Sequence, residues 1–248
     1  MTLAEEYRKQ TGWRAWSSVW CFLPDIAGQT IIDAGCGIGE QAVELAERGA
    51  NVVGIDLDEE LLAVARQREI RGARFHVGDF RDLQEIGSDA DGIWCGFGAA
   101  YVTSLTSMLK VWKKRLKSRG WIAVTEVDNL FGHEPISNEA KVYLDAYAQK
   151  ALREKRYDFY MGSKLPEFIA SAGFRIEHYT KIPDKELSFD GPATTDVLEA
   201  WGRRMQRMTL LRDFCGSAYP MVREEFLQTL MLKEHRSLAS VYFCFARI

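Results

Sequence analysis

The sequence predicts an α/β fold with a doubly wound, mostly parallel sheet, and two observations predict it. Short apolar runs alternate with segments of helical periodicity from Thr30 onward, and the first run ends in a glycine-rich turn that opens the first of those helices. Parallel strands alternating with helices are joined by right-handed crossovers, which places helices on both faces of the sheet.

Taken in order, Thr30 to Ala34 (TIIDA) reads as a buried strand and Glu40 to Arg48 as a helix with Val43, Leu45 and Ala46 inward. Asn51 to Asp56 is the next strand. Asp58 to Arg71 follows as a helix, with Asp58 a candidate N-cap and Leu61, Leu62 and Ala65 at helical spacing. Arg74 to Val77 and Gly92 to Gly96 are the third and fourth strands, Val102 to Ser118 a helix, and Trp121 to Val127 the fifth strand after the Arg119-Gly120 turn. The rhythm then changes. Glu139 to Arg153 and Leu165 to Ala172 read as helices, Phe174 to Tyr179 as a strand, Thr194 to Leu211 and Met221 to Leu232 as helices, and Val241 to Ala246 as a final strand.

Composition bounds the function classes. The chain has 248 residues, 47% apolar and 27% charged, which is the range of an ordinary globular domain. A formal net charge of −3 and the lack of a basic domain argue against a nucleic-acid partner. Five scattered cysteines without CxxC spacing argue against a zinc site or a disulfide framework and for a reducing, cytoplasmic setting. The first residues carry Glu5, Glu6, Arg8 and Lys9 in place of an apolar signal segment, and no stretch reaches the length of a membrane span.

The strongest chemical signal is the run Ile31 to Gly39, IIDAGCGIG, a strand that ends in glycines and opens a helix. Such a turn lets a nucleotide-type ligand approach backbone that a Cβ would shield. Position 40 is glutamate where a dinucleotide fingerprint wants a sixth-place glycine or alanine, and Asp33 suits an ammonium group better than a pyrophosphate. Asp56 ends the second strand, where a carboxylate accepts from ribose hydroxyls. Asp79 and Phe80 follow the third strand, an acid for an exocyclic amine and a ring for the base. Each acid taken singly is as readily a cap or turn residue; the three together at successive strand ends point to an amino-acid nucleoside.

On these residues the sequence resembles the class I S-adenosylmethionine-dependent methyltransferases. The matching pieces are IIDAGCGIGE, VVGIDLDEE, HVGDFRDL, DGIWCGFGAAY and LKSRGWIAVTE, from about Thr30 to Val127, with FIASAGFRIEHY and the last strand agreeing with that family's closing strands. The resemblance implies a Rossmann-like seven-stranded sheet with an antiparallel last strand, and S-adenosylmethionine, with S-adenosylhomocysteine as product, across the strand carboxyl ends. It implies cofactor contacts from Asp33, Ala34, Gly35, Cys36, Gly37 and Gly39, from Asp56 and Leu57, from Asp79 and Phe80, and from Cys95. The expected organisation is a single domain: an N-terminal helical lid (1–28), a sheet core (29–180), a helical insertion or cap (181–239) and the last strand (240–248). The expected acceptor is a small molecule, the expected assembly a monomer or homodimer, and no metal is expected.

Methyl transfer to a nucleophile needs alignment and dryness more than a catalytic triad. Where a base is needed, His133 is the candidate, since it follows the fifth strand at the edge where active sites form; Glu126 and Asp128 are rivals, and a loop imidazole satisfied by a neighbour is the plainer reading. Trp13, Trp16 and Trp20 at i, i+3, i+7 suggest one face of an N-terminal helix, either a core stripe or part of a lid. Trp13, Trp16, Tyr101, Tyr160 and Trp201 are the candidate walls of a substrate pocket, Trp201 from an insertion helix that also carries Leu198, Met205 and Met208 on one face. The alternatives are a nicotinamide oxidoreductase, disfavoured by Glu40, and a catalytically silent protein that binds the same cofactor.

Overall fold

The computed structural model describes residues 2–83 and 89–248. Nine strands form a main sheet and a small ribbon: β1 (Thr30–Ala34), β2 (Asn51–Asp56), β3 (Ala73–Val77), β4 (Ala90–Gly96), β5 (Leu116–Asp128), β6 (His133–Glu134), β7 (Arg175–Ile182), β8 (Arg236–Ser237) and β9 (Ser240–Arg247). The main sheet has seven strands in the order β3-β2-β1-β4-β5-β9-β7, and β6 pairs with β8 beside it. All neighbouring strands from β3 to β5 are parallel; β9 alone runs antiparallel, between β5 and β7.

The helices are α1 (Leu3–Thr11), α2 (Glu40–Glu47), α3 (Glu59–Gln67), α4 (Leu105–Arg115), α5 (Asn138–Arg153), α6 (Met161–Ser171), α7 (Thr195–Arg207), α8 (Thr209–Cys215) and α9 (Tyr219–Thr229). The alternation of side chains along β1 and β2 explains why both faces need cover. Ile31 and Val52 enter one core with Trp94, Trp121 and Phe243, while Ile32 and Val53 enter the other with Ile93, Trp112 and Leu165. The first core is continuous with the insertion, through Trp201, Met205, Leu211 and Phe226.

Local chemistry sets the starts. Asp58 caps α3 by accepting from the N–H groups of Glu60 and Leu61, and Thr2 with Glu5 forms a capping box on α1. Three expected helices differ. The stretch after Val102 begins helical only at Leu105 and passes into β5 at Leu116, earlier than the Arg119-Gly120 signal suggested. Residues 194–211 are two helices, because Met208 leaves the helical conformation at ψ 64°. The tryptophans Trp13, Trp16 and Trp20 do not share a helix: α1 ends at Thr11, and Trp16–Ser18 and Trp20–Phe22 are separate 3-10 turns. Among the described residues no helix is long and apolar enough to cross a membrane.

Candidate cofactor and acceptor site

Strand order reverses between β1 and β4, and a crevice opens outside the carboxyl ends of the strands there, as expected at such a switch point. It is a cavity of about 420 Å³. Its floor is the turn after β1, where Gly35, Gly37 and Gly39 have φ of 77°, 52° and 75°. At Gly39 the constraint is also one of space, since a Cβ would come within 3.0 Å of the Phe75 ring.

Two acids face this turn. Asp56 Oδ2 accepts from the Gly37 N–H at 2.8 Å and Oδ1 from the Asp58 N–H at 2.9 Å, so the loop fixes the carboxylate before any ligand arrives. Asp33 is almost fully buried, and its Oδ2 has no hydrogen-bond partner. Burial, with Asp56 nearby, pushes its pKa up to about 7. A buried carboxylate oxygen without a donor, beside a floor of backbone only, is what a cationic ligand group would complete.

Of the residues expected at the cofactor, Asp33, Gly35, Cys36, Gly37, Asp56 and Phe80 line the cavity. Five do not. Ala34 is wholly buried in the core, Gly39 packs under Phe75 and Ala65, Leu57 is 60% exposed, and Cys95 is buried beneath Gly98. Asp79 is drawn into its own loop: both its oxygens accept from Arg81 Nε, at 2.9 and 2.8 Å, and its pKa falls below the usual carboxylate range because of that side-chain bond.

The other half of the cavity is built by the N-terminal segment, the turns after β4 and β5, and the insertion. Leu3, Tyr7, Gln10 and Thr11 of α1, then Arg14 and Trp16, meet Phe97 and Tyr101 after β4, Val127 at the end of β5 and Leu130 beyond it, Tyr157, and Leu187 and Arg204 of the insertion. A buried ionic network ties them together. Arg14 Nη1 donates to both oxygens of Asp184, at 3.0 and 2.8 Å, and its Nη2 to Glu186 Oε2 at 2.8 Å. Arg204 Nη2 donates to Glu186 Oε1 at 2.5 Å, and Gln10 Nε2 reaches the same oxygen at 3.3 Å. Burial opposes ionisation of Glu186, yet the two arginines outweigh it and hold its pKa below the ordinary value. α1 is clasped to α7 by Glu6, which takes Arg203 Nε at 3.0 Å and Arg207 Nη1 at 2.6 Å.

Of the expected pocket walls, Trp16 and Tyr101 line the cavity; Trp13, Tyr160 and Trp201 do not. Trp13 is half-buried against the core, and Tyr160 stands at the start of α6 with the Lys164 ammonium 6.0 Å from its ring centroid. Trp201 is wholly buried; its Nε1 donates to Glu186 O at 2.9 Å and its ring meets His133 and Phe226. His133 is corrected more sharply. It is buried away from the cavity, with Nδ1 2.9 Å from His235 Nε2, and His235 Nδ1 lies 2.7 Å from the Gly191 carbonyl. A carbonyl only accepts, so the proton order runs His133 Nδ1–H to His235 Nε2 and His235 Nδ1–H to Gly191 O. Burial and the neighbouring His235 lower the His133 pKa to about 3, and its Nε2 faces no partner. It is a packing imidazole. Asp128 accepts from Ser163 N–H and Oγ, and Glu126 lies wholly buried behind the cavity, its Oε1 accepting from the Ala100 N–H at 2.9 Å.

Sequence reasoning missed Arg14, Arg204 and Tyr7. For Arg204 a signal existed: it lies three positions after the buried Trp201, hence at the margin of that helix's inward face.

Comparison with known proteins agrees with this architecture. Residues 31–120 match a family described as a methyltransferase domain. A magnesium-protoporphyrin O-methyltransferase from Rhodobacter capsulatus is 48% identical over 62 residues, 23% of this chain and 28% of that protein. A ubiquinone biosynthesis O-methyltransferase from Pseudomonas paraeruginosa is 28% identical over 109 residues, 42% of this chain and 46% of that protein. The chain thus spans less than half the length of these two curated relatives. Among solved structures, a putative methyltransferase from Bacillus halodurans superposes with a TM-score of 0.62 at 18% identity, covering 93% of this chain and 97% of that one. The fold is the same.

Proposed function

We propose that the chain is a class I S-adenosylmethionine-dependent methyltransferase that moves the cofactor's methyl group to an oxygen, nitrogen or sulfur atom of a small-molecule acceptor. The observation that carries this reading is the pair of acids at the glycine turn, Asp56 held ready by Gly37 and Asp33 left with a buried, partnerless oxygen. Asp33 would receive the ammonium group of the methionine part, Asp56 the ribose hydroxyls, and Phe80 the adenine face; Asp79, committed to Arg81, has no part in this assignment.

When bound, the cofactor supplies an activated methyl carbon on a sulfonium, which leaves as a neutral thioether when the acceptor's lone pair attacks. The protein's own residues supply alignment and exclude water. α1 and α7, clasped through Glu6, cover the crevice, and Trp16, Phe97, Val127, Leu130 and Leu187 give it apolar walls. Among the described lining residues there is no histidine, and the nearby Glu126 carboxyl, raised by burial to about 8, mostly holds its proton at neutral pH. An acceptor atom that ionises by itself or loses its proton to solvent as the bond forms suits this lining. Five unpaired cysteines suit a reducing cytoplasm.

The test is calorimetry of the purified protein with S-adenosylhomocysteine, NAD and NADP. Micromolar binding of the first and none of the others is expected; tight NAD binding without the homocysteine product would replace this reading with the oxidoreductase.

A further inference from the structure

The cavity is divided by charge. Its charged lining residues at the glycine turn are the acids Asp33, Asp56 and Asp58, with Glu40 paired to Arg68; at the far end they are Arg14 and Arg204. The donors at that end outnumber the acceptors. Asp184 Oδ1 already takes Arg14 and the N–H groups of Glu186 and Leu187, Glu186 Oε1 takes Gln10 and Arg204, and Glu186 Oε2 takes Arg14. What is left over includes donors free to meet a ligand. Arg204 Nε is buried and has no partner, and Tyr7, Tyr101 and Tyr157 line the same cavity, Tyr157 half-buried and Tyr7 and Tyr101 open to solvent at its mouth. Arg204 shares the cavity lining with all three phenols, whose pKa values are raised by partial removal from water against the opposing pull of the Arg204 charge. The phenols therefore keep their protons, and Glu126 behind them, raised to about 8, is proton-bearing at neutral pH and sets no charge against an anion.

A buried guanidinium N–H without an acceptor, as at Arg204 Nε, is rare in folded proteins and marks a ligand's place. An arginine with phenol hydroxyls in the same cavity suits an oxyanion in particular. Around this set the walls are flat and apolar: Trp16 and Phe97 meet at 6.0 Å between ring centroids, and the Tyr101 and Tyr157 rings meet edge-on at 4.8 Å. We propose that the methyl acceptor carries an oxyanion, a carboxylate or a phosphate, on a planar apolar body, held by Arg204 with Tyr7, Tyr101 and Tyr157. This rests on the methyltransferase reading, in which the acids of the glycine turn are reserved for the cofactor's cationic part. The insertion is then a specificity element, because it delivers the guanidinium that, among the described lining residues, keeps a buried Nε without a partner.

Binding of 3,4-dihydroxybenzoate, phenyl phosphate and the neutral 3,4-dihydroxybenzamide is to be measured by calorimetry on the protein alone and on the protein saturated with S-adenosylhomocysteine. At least one of the two anions should bind about tenfold or more tighter than the amide, as the loss of a charge-assisted bond implies; which of them does so separates carboxylate from phosphate. Tyr101→Phe keeps the ring and removes only a hydroxyl, so it should fold normally and lose several-fold in anion affinity with none lost for the amide. Arg204→Gln should erase the preference for the anion. If neither anion is preferred over the amide, or if the preference survives in both variants, the proposal is wrong. It is also wrong if Arg204→Gln weakens S-adenosylhomocysteine tenfold while 5′-methylthioadenosine, which lacks the amino-acid part, binds unchanged; the oxyanion would then be the cofactor's own carboxylate. Failure of the wild-type protein to bind S-adenosylhomocysteine at all would instead reject the methyltransferase reading, and the anion preference of the unliganded protein would still be read separately.

Discussion

Asp33 makes cofactor affinity depend on pH in a predictable direction. In the unliganded site burial and the neighbouring Asp56 raise its pKa to about 7. A ligand ammonium group set against the partnerless Oδ2 favours the ionised form, so the pKa falls on binding and a proton must leave wherever Asp33 was protonated beforehand. Affinity for S-adenosylhomocysteine is then nearly flat above pH 7 and falls toward tenfold per unit below it. Between about pH 8 and about pH 5.5 the loss comes to about 30-fold, or about 2 kcal/mol. Calorimetry in buffers of different ionisation enthalpy reads both the affinity and the proton released. Asp33→Asn should bind more weakly and show no such slope over the same range. A flat wild-type profile, or a slope that persists in Asp33→Asn, would mean that this carboxyl does not meet the ligand's cation.

Other outcomes follow from the same geometry. Asp56→Ala should weaken S-adenosylhomocysteine binding by about 10- to 100-fold, since it removes the acceptor that Gly37 and Asp58 hold in place. Asp58→Ala should mainly cost about 1 kcal/mol of stability as a lost cap; equal losses of affinity in both variants would reject the ribose assignment. His133→Ala should lower stability to urea by about 2–4 kcal/mol and leave turnover unchanged once an acceptor is known; a drop in turnover in a stable variant would restore it as a base. With its pKa lowered from 6.5 to about 3, His133 stays neutral in the fold while the unfolded chain takes a proton, so its contribution is complete above pH 6.5 and is lost as pH falls toward 3. Asp33 and Glu126, both raised, act with the opposite sign, so the quantity to compare is wild type against His133→Leu, where the acid-side loss should shrink. Trp201→Ala should cost about 3–5 kcal/mol with an unchanged acceptor KM in any protein that remains folded; a raised KM in a stable variant would put Trp201 in the pocket.

The sheet was legible because its signals are local. β1 and β2 begin and end where their apolar runs do, and Asp58 announces α3 by a cap that the backbone uses as expected. The cofactor half of the site was legible for the same reason, since Asp33, Gly35, Gly37 and Asp56 are fixed by the ends of two adjacent strands. Asp79 shows where position alone stops being enough. It stands at the right strand end, but Arg81 two residues on offers a bidentate partner, and a nearby guanidinium wins over a distant ligand in deciding where a carboxylate points.

The acceptor half was hidden because it is assembled from segments far apart in the chain. Arg14, Asp184, Glu186 and Arg204 form one network across about the whole length of the sequence, and none of them carries a motif. The aromatic residues misled for a related reason. Tryptophan announces burial but not which side of a wall it stands on, and Trp201 faces the core while Arg204, one turn later on α7, reaches the cavity beside it. Sequence periodicity identifies the buried stripe of such a helix, whereas the functional residue sits at the stripe's margin. There a long side chain lays its stem along apolar surface and carries its charged end into the site. In the proposed acceptor site the insertion acts through Arg204, one turn beyond the tryptophan that its hydrophobic pattern singles out.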